Sequence, residues 1–166
     1  YCDVVLYSPD HNSSLTKLPV KHIVKLIHLW QKRFTELEKN EKIKYVFIFE
    51  NKGEVIGVTM PHPHGQIYSF GYIPPKVQKE LDSAKEYFEK KKKCLFCDIL
   101  QQEKSEQKRV IGENQSFVAV VPFYARWPYE VHITSQRHLG KITEFTQREI
   151  SDLAKILKFV LMKCDN

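Results

Sequence analysis

Two imidazoles stand two positions apart in Pro61-His62-Pro63-His64-Gly65-Gln66. In an extended segment alternate side chains share a face, so His62, His64 and Gln66 are expected to point the same way. Pro63 fixes its own φ and biases His62 toward extended backbone, which stiffens the spacing. Gly65 leaves room for a large group, such as a phosphate, to approach the main chain. Such a row suits metal binding or covalent phosphoryl chemistry; a proline-rich turn with solvated histidines is the alternative. A histidine attacks phosphorus when its ring is neutral and oriented, with Nδ1–H held by an acceptor so that Nε2 faces the substrate. Gln66 can donate an amide hydrogen bond to a phosphate oxygen but cannot exchange a proton near neutrality. It can stabilise a transition state without helping water attack an intermediate.

The residues upstream narrow these alternatives. Phe49-Glu50-Asn51-Lys52-Gly53 follows the apolar run Tyr45 to Ile48, and Gly57 precedes Val58, Thr59 and Met60. Asn and Gly after a strand mark a turn, and the second glycine lets main chain pack closely on a ligand. From Phe49 to Gln66, a span of 18 residues, the pattern resembles the active-site motif of the galactose-1-phosphate uridylyltransferases, a branch of the histidine-triad superfamily. The resemblance implies that His64 is the nucleophile. It would attack the α-phosphorus of a UDP-sugar, expel the sugar 1-phosphate and carry a uridylyl group to a second sugar 1-phosphate. UDP-glucose and galactose 1-phosphate would become glucose 1-phosphate and UDP-galactose. Gln66 stands where histidine-triad hydrolases usually carry a third histidine, which favours transfer over hydrolysis. Asn51, Gly57, Val58 and Thr59 would line the phosphate and ribose pocket beside Gln66, with Phe49 and Glu50 shaping its floor. A homodimer sharing residues across subunits is implied. Two other readings stand beside this one. The chain could be a histidine-triad nucleotide hydrolase or phosphorylase, or an inactive nucleotide-binding piece of a longer protein.

The same resemblance implies two metal sites. His11 and His62 would bind zinc in the first, with a cysteine pair from outside the chain. Cys94, Cys97 and His138 repeat that ligand order in the second. Thiolates favour zinc there, and iron is the alternative metal. Some family members use a glutamate with histidines instead, and Glu80 stands at the corresponding distance after His64. A redox role for Cys94-x-x-Cys97 lacks the usual surrounding pattern.

These residues need a scaffold. At 166 residues, 42% apolar and 12% aromatic, the chain can bury a core in one or two units. The cysteines Cys2, Cys94, Cys97 and Cys164 do not form a disulfide framework, which points to a reducing, cytoplasmic compartment. The net charge of +6 suits an anionic partner. Much of the excess lies in Lys90 to Lys93, and neither nucleic acid nor membrane is expected as a partner. Strands are expected at Tyr1–Ser8, Tyr45–Glu50 and Gln66–Gly71, then at Arg109–Ile111, Ser116–Pro122 and Tyr129–Thr134. Helices are expected from Val20, over Lys76–Lys93 and over Gln147–Lys163, with a polar loop at Gln101–Lys108. His22, His28 and His132 carry no motif, and Trp127-Pro128 reads as packing. The segments Val4–His11 and Val131–His138 run parallel: strand, serine, then histidine three positions later, before a long helix. The resemblance, with which this repeat agrees, implies an α+β, histidine-triad-like fold, a tandem repeat of mainly antiparallel sheet with helices packed on one face. The chain, which starts at Tyr1, would hold the back of a first unit (1–75), a linking helix (76–93) and the front of a second (94–166).

Overall fold

A computed structural model describes residues 1–53, 58, 60 and 62–165. The chain divides into two compact units, Tyr1–Ile73 and Pro74–Asn166. The Lys-rich helix expected to link two units belongs to the second.

In the first unit β1 (Cys2–Leu6), β2 (Tyr45–Phe49) and β3 (His64–Phe70) form an antiparallel sheet in the order β1-β3-β2. Helix α1 (Val20–Glu38) buries Ile23, Leu26, Ile27 and Leu37. Pro19, fixed at φ −65°, stands at its N-cap, and its carbonyl accepts the His22 amide. The alternation of β3 sorts its side chains. Gly65 and Ile67 are buried, while His64, Gln66 and Tyr68 share the other face and are half-buried. That strand starts two residues before the expected Gln66, which draws His64 into the sheet opposite Leu6.

In the second unit β4 (Val110–Glu113), β5 (Phe117–Val120) and β6 (His132–Ser135) pair antiparallel in chain order. Helix α4 (Gln147–Cys164) packs Ile156 and Val160 against Phe117 and Ala119. Its start carries a reciprocal cap between Thr146 and Glu149. Helix α2 (Pro75–Lys91) starts with proline at its first turn. It buries none of its residues, with Leu81 48% and Phe88 54% exposed.

Two expectations fail. The polar segment Gln101–Lys108 is not a loop: helix α3 runs from Leu95 to Glu106. Gln, Glu and Lys are good helix formers. Leu100 anchors the helix against Val118 and Val120, and buried Glu103 takes Arg109 Nε at 2.9 Å. Gln107 then stops it in the left-handed conformation, at φ 53°. Trp127 does not pack: it is 75% exposed in the β5–β6 connection.

Candidate active site

The short link from His62 to β3 gathers three imidazoles in the first unit. His64 Nδ1 lies 2.8 Å from the main-chain carbonyl of His62. A carbonyl only accepts, so the Nδ1 hydrogen is spent there and Nε2 keeps its lone pair. This is the orientation that attack on phosphorus requires. His62 is held the other way round: its Nε2 lies 2.7 Å from the Ser8 carbonyl, so Nδ1 carries the lone pair. That Nδ1 is 2.9 Å from His11 Nδ1. Two ring nitrogens so close must share a proton or a cation. His11 and His62, with one ring nitrogen of each facing the other, thus fit two ligands of a metal site.

Gly65 has a different reason from the expected one. A Cβ there would lie 2.0 Å from the Tyr7 hydroxyl and 3.1 Å from the Phe49 carbonyl. The space beside Gly65 is filled by Tyr7 on the buried face rather than left for a phosphate. Tyr7, 2% exposed, is a wedge beneath the site. Its amide donates to the Pro63 carbonyl at 2.9 Å. Burial, with the Glu50 charge second, pushes its phenol well above the usual range, so it stays neutral.

A cavity of about 330 Å³ opens over His62, Pro63 and His64. Its wall includes the expected Glu50, Asn51 and Val58, together with Ser13, Ser14 and Lys52. Gly57 and Thr59 lie outside the described residues. Phe49 is not on the wall; it stacks on Phe47 at 4.9 Å on the sheet face. Gln66 shares the face of His64 one strand step away, but does not line the cavity either. Its Oε1 accepts from the Tyr68 hydroxyl at 2.9 Å. Ser13 and Ser14 were missed in the sequence because nothing but their nearness to His11 marks them. Lys52 was visible only as part of the motif. Hydroxyls, an amide and an ammonium around a free imidazole nitrogen make a wall suited to a phosphate ester.

A larger cavity of about 420 Å³ lies in the second unit against Phe117, Ile133, Phe145 and Leu153. None of the histidines or cysteines lines it, so the smaller cavity is the better candidate for chemistry.

The second unit brings Cys94, Cys97 and His138 together, with ligand atoms all within 4.8 Å of one another. Cys94 caps the N-terminus of α3, Cys97 lies in its first turn and His138 follows β6. Cys97 Sγ is 3.2 Å from His138 Nδ1. Burial, then the adjacent Cys94, pushes the Cys97 thiol up. A cation between the sulfurs would reverse that effect. Two sulfurs and an imidazole fit zinc as a donor set. Glu80 is not a member of this group. It lies close enough to Tyr124 to help raise that phenol, after burial. His132 Nε2 meets Glu130 at 3.0 Å, and His22 and His28 are half-exposed on α1.

Residues 1–74 match the model of the galactose-1-phosphate uridyl transferase N-terminal domain, and residues 80–166 match that of its C-terminal domain. The galactose-1-phosphate uridylyltransferase of Thermotoga maritima is 43% identical over 164 residues, 99% of this chain and 51% of its own length. That of Saccharomyces cerevisiae is 38% identical over 170 residues, 99% of this chain and 46% of its own length. A solved uridylyltransferase superposes with a TM-score of 0.90 at 40% identity, covering 95% of this chain and 50% of its own. An ADP-glucose phosphorylase from Arabidopsis thaliana, solved with bound ADP-glucose, gives 0.89 at 31% identity, covering 98% of this chain and 50% of its own. The chain spans about half the length of these relatives.

Proposed function

Because the chain belongs to the galactose-1-phosphate uridyl transferase family, we propose that its parent protein moves a uridylyl group between hexose 1-phosphates in galactose metabolism, through a covalent intermediate on His64. The observation that carries this reading is the His64 ring, whose Nδ1 is engaged by the His62 carbonyl at 2.8 Å. Nε2 attacks the α-phosphorus of UDP-glucose. The bond from that phosphorus to the bridging oxygen breaks, and glucose 1-phosphate leaves with the electron pair. The imidazole then carries the uridylyl group and a positive charge, which the Nδ1–H···O=C bond spreads onto the main chain. Galactose 1-phosphate reverses the step and leaves with the uridylyl group as UDP-galactose. Asn51, Val58 and Gln66, with Gly57 and Thr59, bind the nucleotide phosphate and ribose in this reading, and Lys52 offsets phosphate charge.

Zinc fits both clusters. Cys94, Cys97 and His138 would hold one ion with a further ligand from elsewhere in the protein, and His11 and His62 would hold another in the same way. Iron is the alternative at the second site, with Glu80 as the alternative ligand. Such an ion ties loops together and takes no part in the transfer proposed here. The tandem arrangement of histidine-triad-like units, a homodimer that completes the site and a cytoplasmic setting belong to the same proposal. No described helix is long and apolar enough to cross a membrane.

The likeness to an ADP-glucose phosphorylase favours a second reading, transfer to inorganic phosphate from an ADP-sugar. The intact protein would be offered UDP-glucose with galactose 1-phosphate, and ADP-glucose with phosphate. Formation of UDP-galactose supports the first reading. Phosphate-dependent conversion of ADP-glucose to ADP and glucose 1-phosphate, with no UDP-galactose formed, would replace it by the second, and UMP release without sugar exchange would mark a hydrolase.

A further inference from the structure

Gln66 matters to this chemistry through one end of its amide. The NH₂ end can donate to a phosphate oxygen, whereas the carbonyl end would repel it. The two ends have nearly the same shape, so something must choose between them. On β3 the flanks of Gln66 are Val4 of β1 and Phe49 of β2, both apolar. The polar partner comes from its own strand, two residues on: the Tyr68 hydroxyl donates to Gln66 Oε1 at 2.9 Å. We propose that Tyr68 is a positioning residue, whose hydroxyl holds the Gln66 carbonyl and so leaves the amide NH₂ as the end that donates to the substrate phosphate.

The surroundings of Tyr68 suit that task. Its ring meets Phe49 edge-on, with centroids 4.9 Å apart and planes at 88°, and Phe70 at 6.2 Å and 69°. Rings packed edge to face on both sides hold the phenol in one rotamer. Cys2 faces Tyr68 directly across β1. A side-chain hydrogen bond with its thiol is the first cause that raises the phenol above its ordinary range. A phenol can also accept from an amide NH₂. In that flipped arrangement its own hydrogen would be left to the Cys2 sulfur, a weak acceptor, so the carbonyl-bound form wins. Among the described residues Tyr68 is the one hydrogen-bond partner of the Gln66 side chain.

The effect on rate rests on the uridylyl-transfer reading; the effect on the amide does not. The test uses the intact protein with Tyr68→Phe, which keeps the ring and removes only the hydroxyl. In single-turnover labelling by UDP-glucose, the rate constant should fall roughly 3- to 10-fold, the range of one lost hydrogen bond. The half-saturating UDP-glucose concentration should change less than about twofold, because the bond acts through orientation. In a Gln66→Ala background, Tyr68→Phe should cost nothing further. A loss of equal size in both backgrounds, or no loss in either, would overturn the proposal. Selective ¹⁵N-glutamine labelling reads the amide directly. The Gln66 NH₂ signals should be dispersed in the parent and move toward solvent-exposed values in Tyr68→Phe. Unchanged signals would overturn the proposal even if UDP-glucose labelled nothing, whereas absent labelling with a shifted amide would instead remove the transfer reading.

Discussion

A neutral imidazole has one donor and one acceptor nitrogen, and at His64 the main chain decides which is which. The acceptor is the carbonyl of His62, two residues back. This need was legible in the sequence, but its partner was not, because no side-chain pattern records the direction of a carbonyl. The same holds for His62, tied to the Ser8 carbonyl 54 positions away. The residue whose type says most about outcome is Gln66, which cannot carry a proton to or from water. Replacing it by histidine restores a proton-exchanging group at the same strand position. In Gln66→His the ratio of UMP release to sugar exchange should rise by about a hundredfold or more, the low side of a general-base contribution. Product analysis by chromatography would check this, and an unchanged ratio would count against the assigned role.

The strands were readable from their β-forming residues, and the two long amphipathic helices from their period, because each helix buries one face. The extra helix α3 was not. Its hold on the sheet comes from Leu100 and from the Glu103–Arg109 pair, which no repeated apolar stripe announces. The role of Gly65 was also hidden, since it depends on Tyr7 arriving from a distant strand. Gly65→Ala should destabilise the first unit by about 1–3 kcal/mol through overpacking, read as a lower melting temperature. Tyr7→Phe should recover only part, since the ring carbon that bears the hydroxyl lies 2.7 Å from the added methyl position. At the other unit, α4 and the His138 loop meet through Arg137 and Glu149, 2.9 Å apart. That guanidinium, and the Thr146 cap next, hold the Glu149 carboxyl at about 2 against an ordinary 4.5. A depressed folded-state value stabilises the fold above about pH 4.5, and the gain is lost as pH falls toward 2. Arg137→Gln should therefore start acid unfolding at a higher pH, as followed by circular dichroism. Superimposable acid profiles would deny the pair this role.

Each unit of the molecule keeps its own sheet and core, and each carries one cluster of candidate metal ligands that includes a histidine following a strand. The parallel between Val4–His11 and Val131–His138 was visible as a repeat, and both segments do form a strand followed by a cluster-bearing histidine. The metal proposal belongs to this scale, because its ligands come from separate elements. The intact protein should contain tightly held zinc, and Cys97→Ser should weaken the second site by more than about 100-fold, since even outer-shell changes cost 10–100-fold. Metal analysis after dialysis against a chelator would decide it, and equal retention by the variant would contradict the assignment. Everything in the proposed activity converges on one covalent bond. The most direct measurement is mass analysis of the intact protein after UDP-glucose, with peptide mapping of any adduct. The account predicts one uridylyl group per chain on His64, discharged by galactose 1-phosphate and absent in His64→Gly. An unlabelled His64 alongside active sugar exchange, or a label that persists in His64→Gly, would contradict it.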